Sequence, residues 1–154
     1  MNSGTPLPED LKKRLKPCPV DLKRVEHFMK RAKKDIASAE LLSETDFEGA
    51  YTLIYDSMLH AGLGFMAASG VYPDVKGKHK TVIEYAAHEL GKGYESAIKF
   101  YDRMRKKRHQ FIYEPGPIGC TRKEMEEARQ VAREFLKIIS AWIKGKSPQK
   151  EFDL

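Results

Sequence analysis

The segment Tyr101-Asp102-Arg103-Met104-Arg105-Lys106-Lys107-Arg108-His109-Gln110-Phe111-Ile112-Tyr113 concentrates the chemistry of this chain. Arg103, Arg105, Lys106, Lys107 and Arg108 crowd cations into the end of an apolar-periodic helix. His109 and Tyr113 add a titratable ring and a hydroxyl just beyond them, before Glu114-Pro115-Gly116-Pro117 ends the helix. Clustered cations neutralise phosphates, so the segment suits a nucleotide or an RNA backbone far better than an apolar ligand. Arg108 falls on the seam formed by Tyr94, Ala97, Ile98, Tyr101, Met104 and Phe111, where an unpaired charge is expensive. Two readings follow. Either Arg108 is a phosphate clamp at an interface cleft, since a guanidinium matches phosphate in a bidentate way, or it is a structural arginine paired inward with Asp56 or Glu84.

His109, with an ordinary pKa of about 6.5, is suited to proton transfer at neutral pH, though a His near a helix end is also a common surface or capping residue. Tyr113, ordinarily near about 10, is a poor base and a good hydrogen-bond donor. If RNA is cleaved here, the 2′-hydroxyl attacks the adjacent phosphodiester, Arg108 stabilises the developing charge, and His109 rather than Tyr113 moves the proton. Binding without turnover stands beside that reading. Asp56 and His60 lie four apart and share a helix face, but no third ligand follows at suitable spacing, and zinc sites take three or four protein ligands. No metal and no cofactor is therefore expected, and Asp56 is expected to face Arg108. Lys76, Lys78, His79 and Lys80 form a second basic patch, and Lys12, Lys13 and Arg14 a third; both are expected to be solvated.

These residues need helices to position them. Asp21 is placed to cap a first long helix to about Ser43, in which Leu22, Val25, Phe28, Met29, Ala32, Ile36, Ala39 and Leu42 recur at spacings of three and four. Asp46 is placed to cap a second, about Phe47 to Ser69, whose small residues Ala61, Gly62 and Gly64 admit a close neighbour. A shorter third spans about His79 to Leu90 and a fourth, the cationic one, Tyr94 to Tyr113. Thr121-Arg122-Lys123-Glu124 is a capping box opening a fifth, to about Lys144. No segment alternates with period two. The pattern predicts an all-α fold, an antiparallel up-and-down bundle of four to five helices. Residues 20–145 make the bundle, 1–19 a proline-rich N-terminal arm with at most one short helix, and 146–154 a polar C-terminal tail.

At 154 residues the chain is one domain with room for a hydrophobic core. The formal charge of +6 favours acidic partners. No apolar run approaches the roughly 18 residues that span a bilayer, and no apolar stretch follows the N-terminal charges as in a secretory signal. Cys18 and Cys120 have neither metal-ligand spacing nor the numbers for a disulfide framework. A cytoplasmic protein that makes no membrane contact is expected.

The stretches Ala32-Lys33-Lys34-Asp35-Ile36-Ala37-Ser38-Ala39-Glu40-Leu41-Leu42, Asp46-Phe47-Glu48-Gly49-Ala50-Tyr51, Ile54-Tyr55-Asp56-Ser57-Met58-Leu59-His60-Ala61, Gly70-Val71-Tyr72-Pro73, His79-Lys80-Thr81-Val82-Ile83-Glu84 and Asp102 to Arg108 occur in an order and spacing that resembles the HEPN family. This is the helical domain named from higher eukaryotes and prokaryotes, and the likeness covers about Arg31 to Tyr113. The resemblance implies a helical bundle, usually a homodimer whose fourth helices meet near the two-fold axis. It also implies metal-independent endoribonuclease activity in active members, often toxins paired with a minimal nucleotidyltransferase antitoxin. Their signature is an Arg followed after four to six residues by a His. Aligned on Arg108, this chain has His109 at the usual polar position and Tyr113 where the catalytic His stands; aligned on Arg103, His109 fits the loose spacing. The basic run favours Arg108. By this resemblance Arg108, His109 and Tyr113 are the catalytic candidates, Arg103, Arg105, Lys106 and Lys107 the RNA- or phosphate-binding ones, and Asp56 and His60 the supporting ones. The competing implication is a non-catalytic module that partners a nucleotidyltransferase.

Overall fold

The computed structural model describes residues 4–114 and 119–146. The expected stop at Pro115 and Pro117, and the tail beyond Lys146, lie outside the described residues. The five helices expected from periodicity are α2 (Leu22–Leu42), α3 (Phe47–Ala68), α4 (Lys78–Leu90), α5 (Glu95–Tyr113) and α6 (Arg122–Lys146). A five-residue α1 (Glu9–Lys13) precedes them, so the described residues hold six helices rather than four or five. Two three-residue strands, β1 (Leu15–Pro17) and β2 (Val71–Pro73), pair antiparallel with Leu15 opposite Pro73. The fold is a helical bundle with this small ribbon added, a feature that the period-two reading did not register.

Local chemistry sets the helix starts. The Asp21 side chain accepts from the Lys23 and Arg24 N–H groups, and the Asp46 side chain from that of Gly49, supplying partners for amides that an N-terminus leaves unpaired. At α6 the capping box forms reciprocally: Glu124 N–H donates to Thr121 Oγ1 and Thr121 N–H to Glu124 Oε1.

α3 is the centre, buried from Ala50 nearly without break to Ala67. α2 runs antiparallel to it, since Leu42 meets Gly49 at one end and Met29 meets Gly64 at the other. α5 is also antiparallel to α3, with Phe111 on Tyr51 and Arg108 on Asp56. α4 departs from the up-and-down pattern. Its contacts with α3 run in the same order along both helices: His79 on Tyr55, Val82 on Gly62, Tyr85 on Phe65. The ribbon explains this, because residues 69–77 return the chain along the outside of α3 before α4 begins. Tyr55, Tyr101 and Phe135 link α3, α5 and α6 through edge-on ring contacts of 5.4 and 5.8 Å, the geometry that aromatic quadrupoles prefer.

The N-terminal arm is fastened to the bundle. Leu11 is buried, and Arg14 donates to Thr81 Oγ1 at 2.9 Å and pairs with Glu84 and Asp10. Arg14, expected to be solvated, is therefore a strap holding α1 to α4. It also occupies Glu84, one of the two carboxylates open to Arg108.

Gly62 faces a side chain rather than a backbone: a Cβ there would lie 2.4 Å from Val82 Cγ1. Gly62→Ala gains roughly 1 kcal/mol of helix propensity, but overpacking costs roughly 1–3 kcal/mol. Denaturant unfolding should show Gly62→Ala to be destabilising in the parent, and neutral or stabilising in a Val82→Ala background.

Candidate functional site

The cations of α5 divide between two sides of the helix. Tyr101 and Met104 are fully buried, and Arg108, one turn further along the same line, is half-buried. Its Nε lies 3.5 Å from Asp56 Oδ1, an ion pair without a hydrogen bond, and this Nε is buried with no hydrogen-bond partner. The guanidinium sits over the ring of Tyr55, 5.4 Å from its centroid, a favourable cation–π arrangement. Tyr55 in turn shares a 2.8 Å hydrogen bond with His79 Nδ1, and the two rings are nearly parallel at 5.7 Å. Arg105 leans on Asp102 at 3.1 Å, as does Lys106 at 3.3 Å.

The other side of α5 faces α6. Lys107 pairs with Glu124, and Arg103 rests on Phe100 at 4.8 Å. With Tyr51, Lys106, Gln110 and Glu127 these residues line a cavity of about 330 Å³. His109 and Tyr113 are exposed, with their rings in contact at 4.5 Å. The structure thus joins Arg108 to Asp56 and places His109 and Tyr113 together on an outer flank.

His60 goes elsewhere than its neighbour Asp56. Its Nδ1 lies 2.6 Å from Asp35 Oδ2, and Arg31 holds the other Asp35 oxygen at 3.1 Å. Asp35 is only 1% exposed, so two partners satisfy a carboxylate that would otherwise be costly to bury. Among the described residues no group of three or more His, Cys, Asp and Glu is placed to hold a metal ion.

Three residues complete the site beyond those expected from the sequence: Tyr55, His79 and Asp35. Tyr55 lies on an apolar stripe and reads as core. His79 falls in a patch that reads as a solvated loop, yet it is a half-buried residue in the first turn of α4. The signal for Asp35 is its place among Ala32, Ile36 and Ala39 on the inner stripe of α2.

Burial raises the Asp56 carboxyl above its ordinary range; the Arg108 charge opposes this, and Asp35 adds to it. Burial likewise lowers the protonation of His79, helped by the charges of Arg108, Lys78 and Arg105. The Tyr55 hydroxyl is pushed well up by burial, so it stays neutral.

A sequence model of the HEPN domain matches residues 25–142. The chain belongs to the HEPN domain family. Its HEPN domain runs from Val25 in α2 to Trp142 in α6, leaving α1 and β1 outside. No curated protein and no solved structure shows a significant match to the chain. No helix among the described residues is long and apolar enough to cross a membrane.

Two measurements test this geometry. Asp56 and Arg108 are each about a quarter exposed, with side chains at 27% and 26%, so their pairing is worth less than the 3–5 kcal/mol of a fully buried pair. A double-mutant cycle with Asp56→Asn and Arg108→Gln should give a coupling of about 1–2 kcal/mol; additive effects would contradict the pair. For His79, the folded state favours the neutral ring, so the unfolded chain binds more protons below about pH 6.5. Its contribution is fully present above that pH and is lost on acidification through the depressed folded value. Urea unfolding should show less stability loss between about pH 7 and 5 in His79→Gln than in the parent.

Proposed function

We propose that this HEPN protein binds single-stranded RNA or nucleotide phosphate at the α5 end where Arg108 stands, with metal-independent endoribonuclease action of the toxin type as its activity. The observation that carries this is the Arg108 guanidinium, held over Tyr55 with its buried Nε 3.5 Å from Asp56 and without a hydrogen-bond partner. A guanidinium held this loosely suits an acceptor from outside, and phosphate is the oxyanion it matches best. Arg105 adds charge beside it and Lys106 on the α6 side, while His109 and Tyr113 offer two adjoining exposed rings for the ribose or base that follows. Arg103 and Lys107 extend the basic surface toward α6. Membership of the HEPN family is consistent with ribonuclease or nucleotide-related roles.

The arrangement also supports a homodimer formed around the end of α5, where Ile112 is 47% and Tyr113 69% exposed. Light scattering at micromolar concentration should return twice the 17.6 kDa of one chain; a monomer mass would contradict it. The same exposed residues favour one alternative, a non-catalytic module that docks a minimal nucleotidyltransferase. An RNA cleavage assay in the presence of chelator separates the two.

Binding should be strongly salt-dependent, with a slope of about −0.7 per phosphate contact on single strands. Replacing Arg105 and Lys106 should weaken all RNA sequences alike, because phosphate contacts carry no base information. Arg108→Ala should weaken binding most. Fluorescence anisotropy with labelled oligoribonucleotides checks this, and affinity indifferent to both salt and Arg108 would overturn the reading.

A further inference from the structure

The residue placed to move a proton beside Arg108 is on a different helix from the arginine. His79 opens α4, and it meets α5 across Tyr55: the tyrosine ring carries the Arg108 guanidinium at 5.4 Å and packs against the His79 imidazole at 5.7 Å. The 2.8 Å bond from Tyr55 Oη engages Nδ1, so the ring is held in one orientation and Nε2 is its other nitrogen. The charged groups acting on His79 are Arg105 and Arg108 from α5 and Lys78 on its own helix, with the Tyr55 hydroxyl facing it from α3. All of those charges are positive. Arg108 and the imidazole are thus neighbours around the Tyr55 ring.

The other histidines are less well placed, and His27 is an exposed residue of α2. His60 is engaged through Nδ1 by the buried Asp35 carboxylate. Both ring nitrogens of His88 are buried. His109 is exposed and in ring contact with Tyr113.

We propose that His79 is the catalytic base of this site, taking the proton from a ribose 2′-hydroxyl whose neighbouring phosphate is held by Arg108. The inference rests on the phosphate-binding reading of Arg108, and moves the proton-transfer role from His109 to His79. In the step, His79 Nε2 accepts the 2′-hydroxyl proton as O2′ forms a bond to phosphorus and the bond from phosphorus to O5′ breaks. The departing O5′ takes a proton from water, and the imidazolium later returns its proton to water. The products are a 2′,3′-cyclic phosphate and a 5′-hydroxyl, with no net change in protons and no oxidant or metal required. Tyr55 is a positioning residue: the 2.8 Å contact fits Nδ1–H donating to its oxygen, the tautomer this role needs because it leaves Nε2 as the free base. A neutral ring near pH 7 is the form this role needs.

The experiment uses the full chain with a labelled single-stranded oligoribonucleotide, following binding by anisotropy and cleavage by gel from pH 5 to 9. The wild type should cut the RNA, leaving cyclic-phosphate ends, with a rate that rises to a plateau through an apparent pKa below 6.5. His79→Ala should lose at least about 100-fold in cleavage, keep RNA affinity within about threefold, and regain activity with added imidazole. Tyr55→Phe should move the acid limb to lower pH. Arg108-dependent binding with no cleavage by the wild type, or normal cleavage by His79→Ala, would overturn the proposal. Binding that ignores Arg108→Ala would instead remove the phosphate reading beneath it. If His79→Ala fails to fold, NMR of the wild-type His79 ring decides. Its pKa should rise when a 2′-deoxy oligonucleotide binds, and an unmoved resonance would reject the role.

Discussion

A guanidinium on the apolar seam of a helix must be compensated, and Asp56 compensates Arg108. The pairing fixes how α5 lies on α3, because a carboxylate and a guanidinium 3.5 Å apart at this point leave little freedom to slide one helix along the other. It also explains the neighbouring residues. Tyr55 offers the guanidinium an aromatic face in place of a second carboxylate, so the arginine is left partly open. Burial alone would drive Asp56 toward its neutral form, and the Arg108 charge opposes this. Each group makes the other's position tolerable.

The charge of +6 is not spread evenly over the surface. Many cations are absorbed by internal partners: Arg14 by Glu84, Arg31 by Asp35, Lys107 by Glu124, and Arg129 and Arg133 by Glu40. These pairs tie the arm to α4 and α2 to α6. At Arg108 the compensation is looser, an approach of 3.5 Å to Asp56 with Nε making no hydrogen bond, which is why the functional reading centres there. The two sides of α5 accordingly do different work. One binds α6 through Lys107 and the wall of a cavity, and the other meets α3 and α4 through Arg108 and Tyr55.

Much of this was legible in the sequence where the determinants are local. The five long helices follow from apolar spacing, and Asp21, Asp46 and the Thr121–Glu124 box cap them as expected. The Asp56–Arg108 contact was legible for a different reason: a charge on an apolar stripe demands an acid, and few are in reach. Determinants that depend on tertiary return of the chain were not legible. β1 and β2 have three residues each, too short for a period to register. The start of α4 near His79 follows from apolar spacing, but Lys76, Lys78 and Lys80 around it mark a solvated patch, and only the return of the chain past α3 brings the ring to Tyr55. Tyr55 carries its information in a hydroxyl, which periodicity cannot see.

The central claim is that Arg108, held by Asp56 over Tyr55, is the group that receives phosphate. It is tested most directly by NMR of the guanidinium resonances in arginine-labelled protein during titration with a single-stranded oligoribonucleotide. The account predicts that the Arg108 resonance shifts most among the arginines, that the shift reverses as salt is raised, and that Asp56→Asn alters it. An Arg108 resonance that stays in place while those of Arg103 or Arg122 move would contradict the account.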